Sequence, residues 1–132
     1  VPIQCAKTIA KHLMVFWDAL KEIMPEAFND PKSYVLQKST GVTVLHTVYP
    51  KILIAAVGEN TSIPKKEELV DGLKKIRDFL GDNDENFLFS EYWNAKNGKA
   101  GRSGTSKKSF KQLSEEIMAS LDSYIQKAQN IK

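Results

Sequence analysis

The stretch VTVLHTVYPKILIAAV, residues 42–57, decides the fold class of this chain. Its β-branched residues favour a strand, and Val42-Thr43-Val44 could begin one. The apolar residues nevertheless follow helical spacing over three turns, at Leu45, Val48, Tyr49, Ile52, Leu53 and Ala56. We therefore predict a helix over residues 42–57, bent near Pro50 where one backbone hydrogen bond is lost, and ended by Gly58.

Upstream of this stretch, the sequence predicts one long helix and one short helix. Apolar residues recur at steps of three and four along residues 4–24, at Ile9, Leu13, Phe16, Trp17, Leu20 and Met24. Pro25 ends this helix, because the residue before a proline is pushed out of the α region. Asp30 then suits an N-cap with Pro31 at the first helical position, so we predict a short helix to about Lys38.

Downstream of the deciding stretch, a third long helix is predicted to begin at Ser62-Ile63-Pro64. Glu67 and Glu68 fall in its first turn, near the positive end of the helix dipole. Gly81 ends this helix, and the following residues 82–86 are predicted to form a solvated acidic turn.

The end of the chain completes a helical pattern. Residues 87–93 are apolar and aromatic and are predicted to form a short helix. Ser106 suits the N-cap of a last helix over about residues 107–129. The sequence therefore predicts an all-α fold, a single helical domain over residues 1–132 that is a bundle of about four longer helices plus short helices.

Composition indicates an ordinary globular domain rather than a disordered chain. Of the 132 residues, 42% are hydrophobic and 27% are charged. A single cysteine, Cys5, excludes an internal disulfide framework and favours a reducing compartment, so we expect a cytoplasmic location. No apolar run approaches the roughly 20 residues that cross a bilayer, and we expect no membrane partner. The chain begins at Val1 rather than Met, so we expect a fragment of a longer protein.

Positive charge is concentrated in residues 96–111, which we call the basic segment. It has six Lys or Arg residues and no Asp or Glu, whereas the remainder of the chain has 13 basic against 16 acidic residues. Three glycines and several hydroxyl side chains precede the last helix here. Free backbone N–H groups and the helix dipole at such a position favour a phosphate. The predicted phosphate-binding residues are Lys99, Arg102, Lys107, Lys108, Gly101, Gly104 and Ser106.

The basic segment also has a simpler interpretation, which is a solvated, mobile connector with a serine cap. It is not a Walker A loop, because no Gly-Lys-Ser/Thr triplet closes a Gly-x-x-x-x-Gly frame. Tyr92 and Trp93 flank the segment, and we expect them to belong to the core rather than to a base-stacking platform. The acidic and basic stretches could also pair with each other, across the fold or between copies.

No complete catalytic or metal-binding arrangement is present in the sequence. Neither His12 nor His46 has a Cys or His partner nearby, so both are expected to be partly buried or surface histidines. Cys5 lacks the features of an activated nucleophile. Residues 82–84 are similar to the opening of a calcium loop, but Phe87 and Trp93 stand where its Gly and Glu belong. We predict no catalytic residue, no metal and no cofactor.

Several features together resemble the carboxy-terminal part of DGQHR-domain proteins, which are linked to DNA phosphorothioation systems and mobile elements. These features are residues 16–20 (FWDAL) before a proline, residues 34–45 (YVLQKSTGVTVL), the apolar run to Ile54, and the Trp93 segment leading into the glycine-rich stretch. The Asp-Gly-Gln-His-Arg motif itself does not occur in this chain, so no catalytic residue of the family is carried over. The resemblance implies a helper domain in DNA modification, its regulation, or defence against foreign DNA.

The function expected from the sequence is a non-catalytic helical module of a DNA-associated protein that contacts the phosphate backbone through the basic segment. The alternative is a protein–protein interaction or oligomerisation domain that docks a neighbouring domain or a second copy. A third, weaker alternative is an enzyme that uses the glycine-rich stretch to hold a nucleotide.

Overall fold

Four long helices make up most of the computed structural model, which describes residues 3–58 and 63–130. The long helices are α1 (Ile3–Ile23), α3 (Ser39–Val57), α4 (Lys66–Leu80) and α6 (Lys107–Asn130), and the short elements are α2 (Pro25–Asn29), a 3₁₀ helix (Ser90–Trp93) and α5 (Lys99–Arg102). The described residues contain no strand, only one isolated bridge between Tyr34 and Asn94. The all-α prediction is therefore confirmed.

Helix α3 lies at the centre of the bundle and packs against α4 and α6, while α1 packs against α4. Its buried side chains include Val44, Leu45, Val48 and Ile52. By length and composition α3 could cross a membrane, and it is the one described helix of which this is true. Burial of these side chains inside the bundle is what the core helix of a folded domain shows.

The deciding stretch is helical as predicted, and its helix begins three residues earlier than expected. Thr40 and Gly41 are buried within the first turn of α3, where a side chain on Gly41 would meet the Leu36 carbonyl oxygen at 1.8 Å. Only glycine permits this close approach. Pro50 lies inside the helix, and Gly58 ends it with a φ of 99° and an N–H bond to the Ile54 carbonyl.

The short helix predicted from Pro31 to Lys38 is wrong, because residues 31–38 form turns. The N–H of Val35 donates to the carbonyl of Trp93 at 2.7 Å, and the N–H of Ala95 donates to the carbonyl of Ser33 at 2.8 Å. These bonds to a distant segment replace helical ones. The Pro residue that begins a short helix is Pro25, at the first position of α2.

The start of α4 differs from the prediction, whereas its end agrees with it. Its first residue is Lys66 rather than one near Pro64, and Ser62 lies outside the described residues. The N–H of Lys65 donates to the side chain of Glu68, one of the two predicted first-turn acids. Gly81, with a φ of 84°, ends the helix as predicted.

The turn after α4 is held by Asn86, whose side chain is completely buried. Its amide donates to the carbonyls of Arg77 and Gly81 at 2.9 and 2.8 Å, and its oxygen accepts from the N–H of Leu88 at 3.0 Å. The rest of the predicted acidic turn is exposed. Asn86 therefore attaches the end of α4 to the aromatic segment that follows.

Candidate functional site

The first half of the basic segment is folded rather than extended. Helix α5 occupies Lys99–Arg102, the N–H of Gly98 donates to the carbonyl of Asn94 at 3.0 Å, and the N–H of Arg102 donates to the carbonyl of Gly98 at 3.0 Å. The interpretation as a solvated connector is therefore wrong for these residues. Helix α5 packs against the 3₁₀ helix, which fixes its position on the domain.

The three glycines of the segment are explained by packing and by a turn. A Cβ atom on Gly98 would meet the Glu91 carbonyl oxygen at 2.3 Å, and one on Gly101 would meet the Asn94 carbonyl oxygen at 2.1 Å. Gly104 has a φ of 88° and ends the turn between α5 and α6. The first two glycines permit close backbone contact, and the third permits a left-handed turn.

Ser106 is the N-cap of α6, as predicted. Its hydroxyl oxygen accepts a hydrogen bond from the N–H of Ser109 at 3.1 Å, and the first helical residue is Lys107. The two side-chain hydroxyls lie 3.0 Å apart. The serine therefore satisfies one of the unpaired donors at the start of the helix.

Lys99 is neutralised within the molecule. Its ammonium group forms ion pairs with Glu85 and with Glu116, the latter at 2.9 Å, and only 21% of its side chain is exposed. Burial lowers the pKa of Lys99, but hydrogen bonds and charges from both carboxylates outweigh it, so the pKa lies above its usual value. The pairing of acidic and basic stretches that the sequence left open is found across the fold.

The other three predicted cations remain available. Arg102, Lys107 and Lys108 are exposed, and none forms an ion pair with any residue in the described part of the chain. The guanidinium Nε of Arg102 makes one long hydrogen bond, 3.4 Å, to the carbonyl of Gly98. The structure thus separates the four predicted contact cations into one internally paired lysine and three exposed positive side chains.

Lys107 also borders a shallow groove of about 320 Å³ between α3 and α6. Phe110 and Met118 provide apolar lining, and Thr43 and Thr47 lie on the α3 side. Lys111 also lines the groove, and its ammonium nitrogen lies 4.0 Å from a carboxylate oxygen of Glu115. An exposed ion pair at this distance contributes little to stability. The groove therefore has a mainly apolar lining, with two lysines and the carboxylate of Glu115 around it.

A larger cleft of about 410 Å³ lies beside α5 and was not predicted from the sequence. It carries four carboxylates and one lysine, together with aromatic and small polar groups. Its lining is Glu26, Tyr34, Asp82, Asn83, Asp84, Phe89, Ser90, Glu91, Tyr92, Asn97, Gly98 and Lys99. The acids come from α2, the turn after α4 and the 3₁₀ helix, so no local spacing brings them together.

Tyr92 and Trp93 belong to the core, as predicted. Trp93 is completely buried and donates its indole N–H to the carbonyl of Phe87 at 2.8 Å. Tyr92 is 4% exposed, and its ring packs edge-on against that of Trp93 with centroids 4.9 Å apart. Neither ring lies on the surface as a stacking platform would.

The histidines lie at the contact between α1 and α3. His12 is half-buried and its Nδ1 lies 2.7 Å from the hydroxyl of Tyr49, while exposed His46 accepts the indole N–H of Trp17 at 2.9 Å. Both match the expectation of partly buried or surface histidines. No group of three or more His, Cys, Asp or Glu within residues 3–58 and 63–130 is arranged to hold a metal ion.

Comparison with known proteins gives no relative: no family model, no curated protein and no solved structure matches this chain.

Proposed function

We propose that this domain is a non-catalytic helical module that contacts the phosphate backbone of DNA through Arg102, Lys107 and Lys108. The observation that supports it is the exposure of these three positive side chains, without an ion-pair partner among the described residues, around the start of α6. A phosphate group is the natural counter-ion for such a cluster.

The position of the cluster adds to the argument. Lys107 and Lys108 lie in the first turn of α6, where the helix dipole disfavours positive charge by a few tenths of a kcal/mol each, on the order of 0.3 to 1 in total. A bound anion offsets that unfavourable term. Arg102 can present two parallel N–H donors to one phosphate, whereas the lysines act as point charges.

The remaining predicted residues have supporting roles in this proposal. Lys99 is not one of the proposed phosphate contacts, because its charge is balanced by Glu85 and Glu116. Gly101 and Gly104 set the path of the backbone, and Ser106 caps α6. Binding through so few backbone contacts has no sequence preference and weakens steeply with salt.

The test measures binding of a labelled DNA duplex by fluorescence anisotropy over a series of salt concentrations. The variant Arg102→Ala/Lys107→Ala/Lys108→Ala is expected to lower affinity and reduce the slope of log K against log salt by about 2.7. The matched control is Lys21→Ala/Lys74→Ala/Lys75→Ala, which removes three exposed lysines that have no ion-pair partner among the described residues. Equal losses in both variants would mean that only net charge matters.

A second candidate function is a protein-interaction domain, which the surface of α1 favours. Residues 7–11 are all exposed, and Ile9 and Met14 have 55% and 67% of their surface exposed, although Ile9 was predicted to lie in the buried stripe. The first turns of α1 thus extend past the residues that it packs against. Association through this surface is expected to resist salt and to be lost in Ile9→Gln/Met14→Gln, with no change in the basic-segment variant.

The resemblance to DGQHR-domain proteins supplies the biological setting of the first proposal, a helper role in DNA modification or defence in the cytoplasm. An Asp-Gly-Gln-His-Arg motif encoded upstream in the same reading frame would support that setting, and a frame without it would remove it.

A further inference from the structure

The outer face of α1 carries an ordered pattern of charge. Five exposed side chains recur there at steps of three and four, so they lie within about 80° of one another around the helix and span about 22 Å along it. These residues are Lys7, Lys11, Met14, Asp18 and Glu22. The buried residues Phe16, Leu20 and Ile23 lie on the opposite side of the helix, so the outer face points away from the bundle.

The two halves of the outer face have opposite charge. Its lysines both come before its centre, and its carboxylates both come after it. Lys7, Lys11 and Asp18 form no ion pair with any described residue. Glu22 lies 3.6 Å from Lys66, and both of these side chains are about half exposed. Such an exposed pair contributes little, so the carboxylate of Glu22 remains available to a partner.

The order of these charges does not stabilise α1 itself. A helix dipole favours acidic residues near the beginning of a helix and basic residues near its end. The outer face has the reverse order, and Glu22 lies in the last turn of α1, which ends at Ile23. A second set of charges placed against the face in the opposite order would offset this arrangement.

An identical helix turned end to end supplies that order. When two copies of α1 lie antiparallel about a twofold axis between residues 14 and 15, Lys11 of each copy faces Asp18 of the other. In the same register, Lys7 of each copy faces Glu22 of the other, and symmetry makes every pair occur twice. Met14, with 67% of its surface exposed, then lies at the axis as the apolar centre of the contact.

We propose that the outer face of α1 is the contact surface of an antiparallel homodimer, in which the basic half of each copy pairs with the acidic half of the other. A parallel arrangement would place each charge against its own equivalent. Lys21 lies at the edge of the face and meets Thr8 in the antiparallel register, so it opposes no lysine. One helix against its equivalent buries less than a standard interface, so the expected dissociation constant at low salt is on the order of 0.1 to 1 mM.

This dimer is distinct from both candidate functions given above. The apolar surface at Ile9 is a different side of α1, because Ile9 is turned about 140° from Met14 around the helix. Association through Ile9 is expected to resist salt, whereas a contact between exposed charges weakens as salt rises. The proposed DNA contact lies at the start of α6, so either inference can fail without the other.

The experiment is sedimentation equilibrium of the protein from about 0.02 to 2 mM, at low and at high salt. Lys11→Glu and Asp18→Lys each place like charges opposite one another twice in the dimer, so each is expected to weaken self-association about tenfold. The combined variant Lys11→Glu/Asp18→Lys restores opposite charges in the antiparallel register. Its affinity is expected to return to within about twofold of the native value.

The matched controls are Lys96→Glu and Asp84→Lys, which make the same changes in net charge at exposed residues outside α1. Each is expected to change the dimer affinity by less than about twofold. A protein that stays monomeric over the whole concentration range overturns the proposal. So does a combined variant no better than the single ones, or equal weakening by the controls. Ile9→Gln should retain the dimer, and loss of the dimer in that variant would assign association to the apolar surface instead.

Discussion

The indole Nε1 of Trp17 on α1 donates a hydrogen bond to Nε2 of His46 on α3 at 2.9 Å, and the two rings meet edge-on with centroids 5.8 Å apart. The ring of Phe28 on α2 also meets the ring of Trp17 edge-on, with centroids 6.0 Å apart. The Trp17 side chain therefore connects α1, α2 and α3.

This relationship can be measured with a double-mutant cycle of Trp17→Phe and His46→Ala. We expect a coupling free energy of about 0.5 to 1 kcal/mol, because one hydrogen bond and one edge-on ring contact are lost together. Urea unfolding of the four proteins gives the value. Coupling near zero would show that the two helices hold their register without this bond.

Lys99 is expected to matter for stability and not for DNA binding. Lys99→Met leaves the buried Oε2 of Glu116 without its ion partner, so we expect a loss of about 1 to 3 kcal/mol in the free energy of unfolding. The matched control is Lys96→Met, an exposed lysine of the same segment whose ammonium group has no ion partner among the described residues. If Lys99→Met instead lowered DNA affinity with unchanged stability, the assignment of its charge would be wrong.

The raised pKa of Tyr92 is expected to change the free energy of unfolding at alkaline pH. Burial raises the pKa of Tyr92 in the folded protein, and the charges of Glu116 and Glu85 raise it further. In the unfolded protein, a tyrosine has a pKa of about 10. The contribution of the neutral phenol to the free energy of unfolding is therefore complete below about pH 10, and it is lost as the pH rises above that value. Urea titrations over this range should show a shallower decline in Tyr92→Phe than in the native protein.

Lys99 contributes a change of the same sign in the same pH range, because its folded pKa is also raised. The comparison between Tyr92→Phe and the native protein isolates the tyrosine, since Lys99 is present in both. Identical pH profiles would contradict the proposed burial of the phenol. Phenolate absorbance during the titration provides a second readout.

The glycines of the basic segment are expected to differ in their tolerance of a methyl group. Gly101→Ala places a Cβ atom 2.1 Å from the Asn94 carbonyl oxygen, so α5 must move, and we expect a loss of about 2 kcal/mol or more. In Gly104→Ala the new Cβ atom meets only the Ser109 hydroxyl, at 3.5 Å. The loss in the free energy of unfolding comes mainly from the φ of 88° and is expected to be about 1 kcal/mol. Thermal unfolding measures both, and the opposite order would contradict the packing role of Gly101.

Local patterns in the sequence were enough to predict the long helices. The apolar spacing of α1 and α3, the stops at Gly58 and Gly81, and the cap at Ser106 all depend on neighbours within a turn or two. Each was predicted to within a few residues.

Features that depend on distant contacts could not be found in this way. Residues 31–38 have good helix-start chemistry, but the Val35 N–H and the Ser33 carbonyl bond to Trp93 and Ala95 instead. Lys99 cannot be distinguished from Lys107 by spacing, yet only Lys99 reaches Glu85 and Glu116. The acidic cleft combines three separate parts of the chain, so its only sequence signal was the acidic turn, which was interpreted as solvated surface.

The bond from Val35 to Trp93 has a consequence for synthesis in the cell. A nascent chain that has left the ribosome only as far as α4 has neither this carbonyl nor the α6 surface that covers α3. The face of α3 that α6 covers must therefore stay uncovered until the carboxy-terminal third emerges. The domain is expected to acquire its structure in one late step, and cleavage near its middle should yield no stable half.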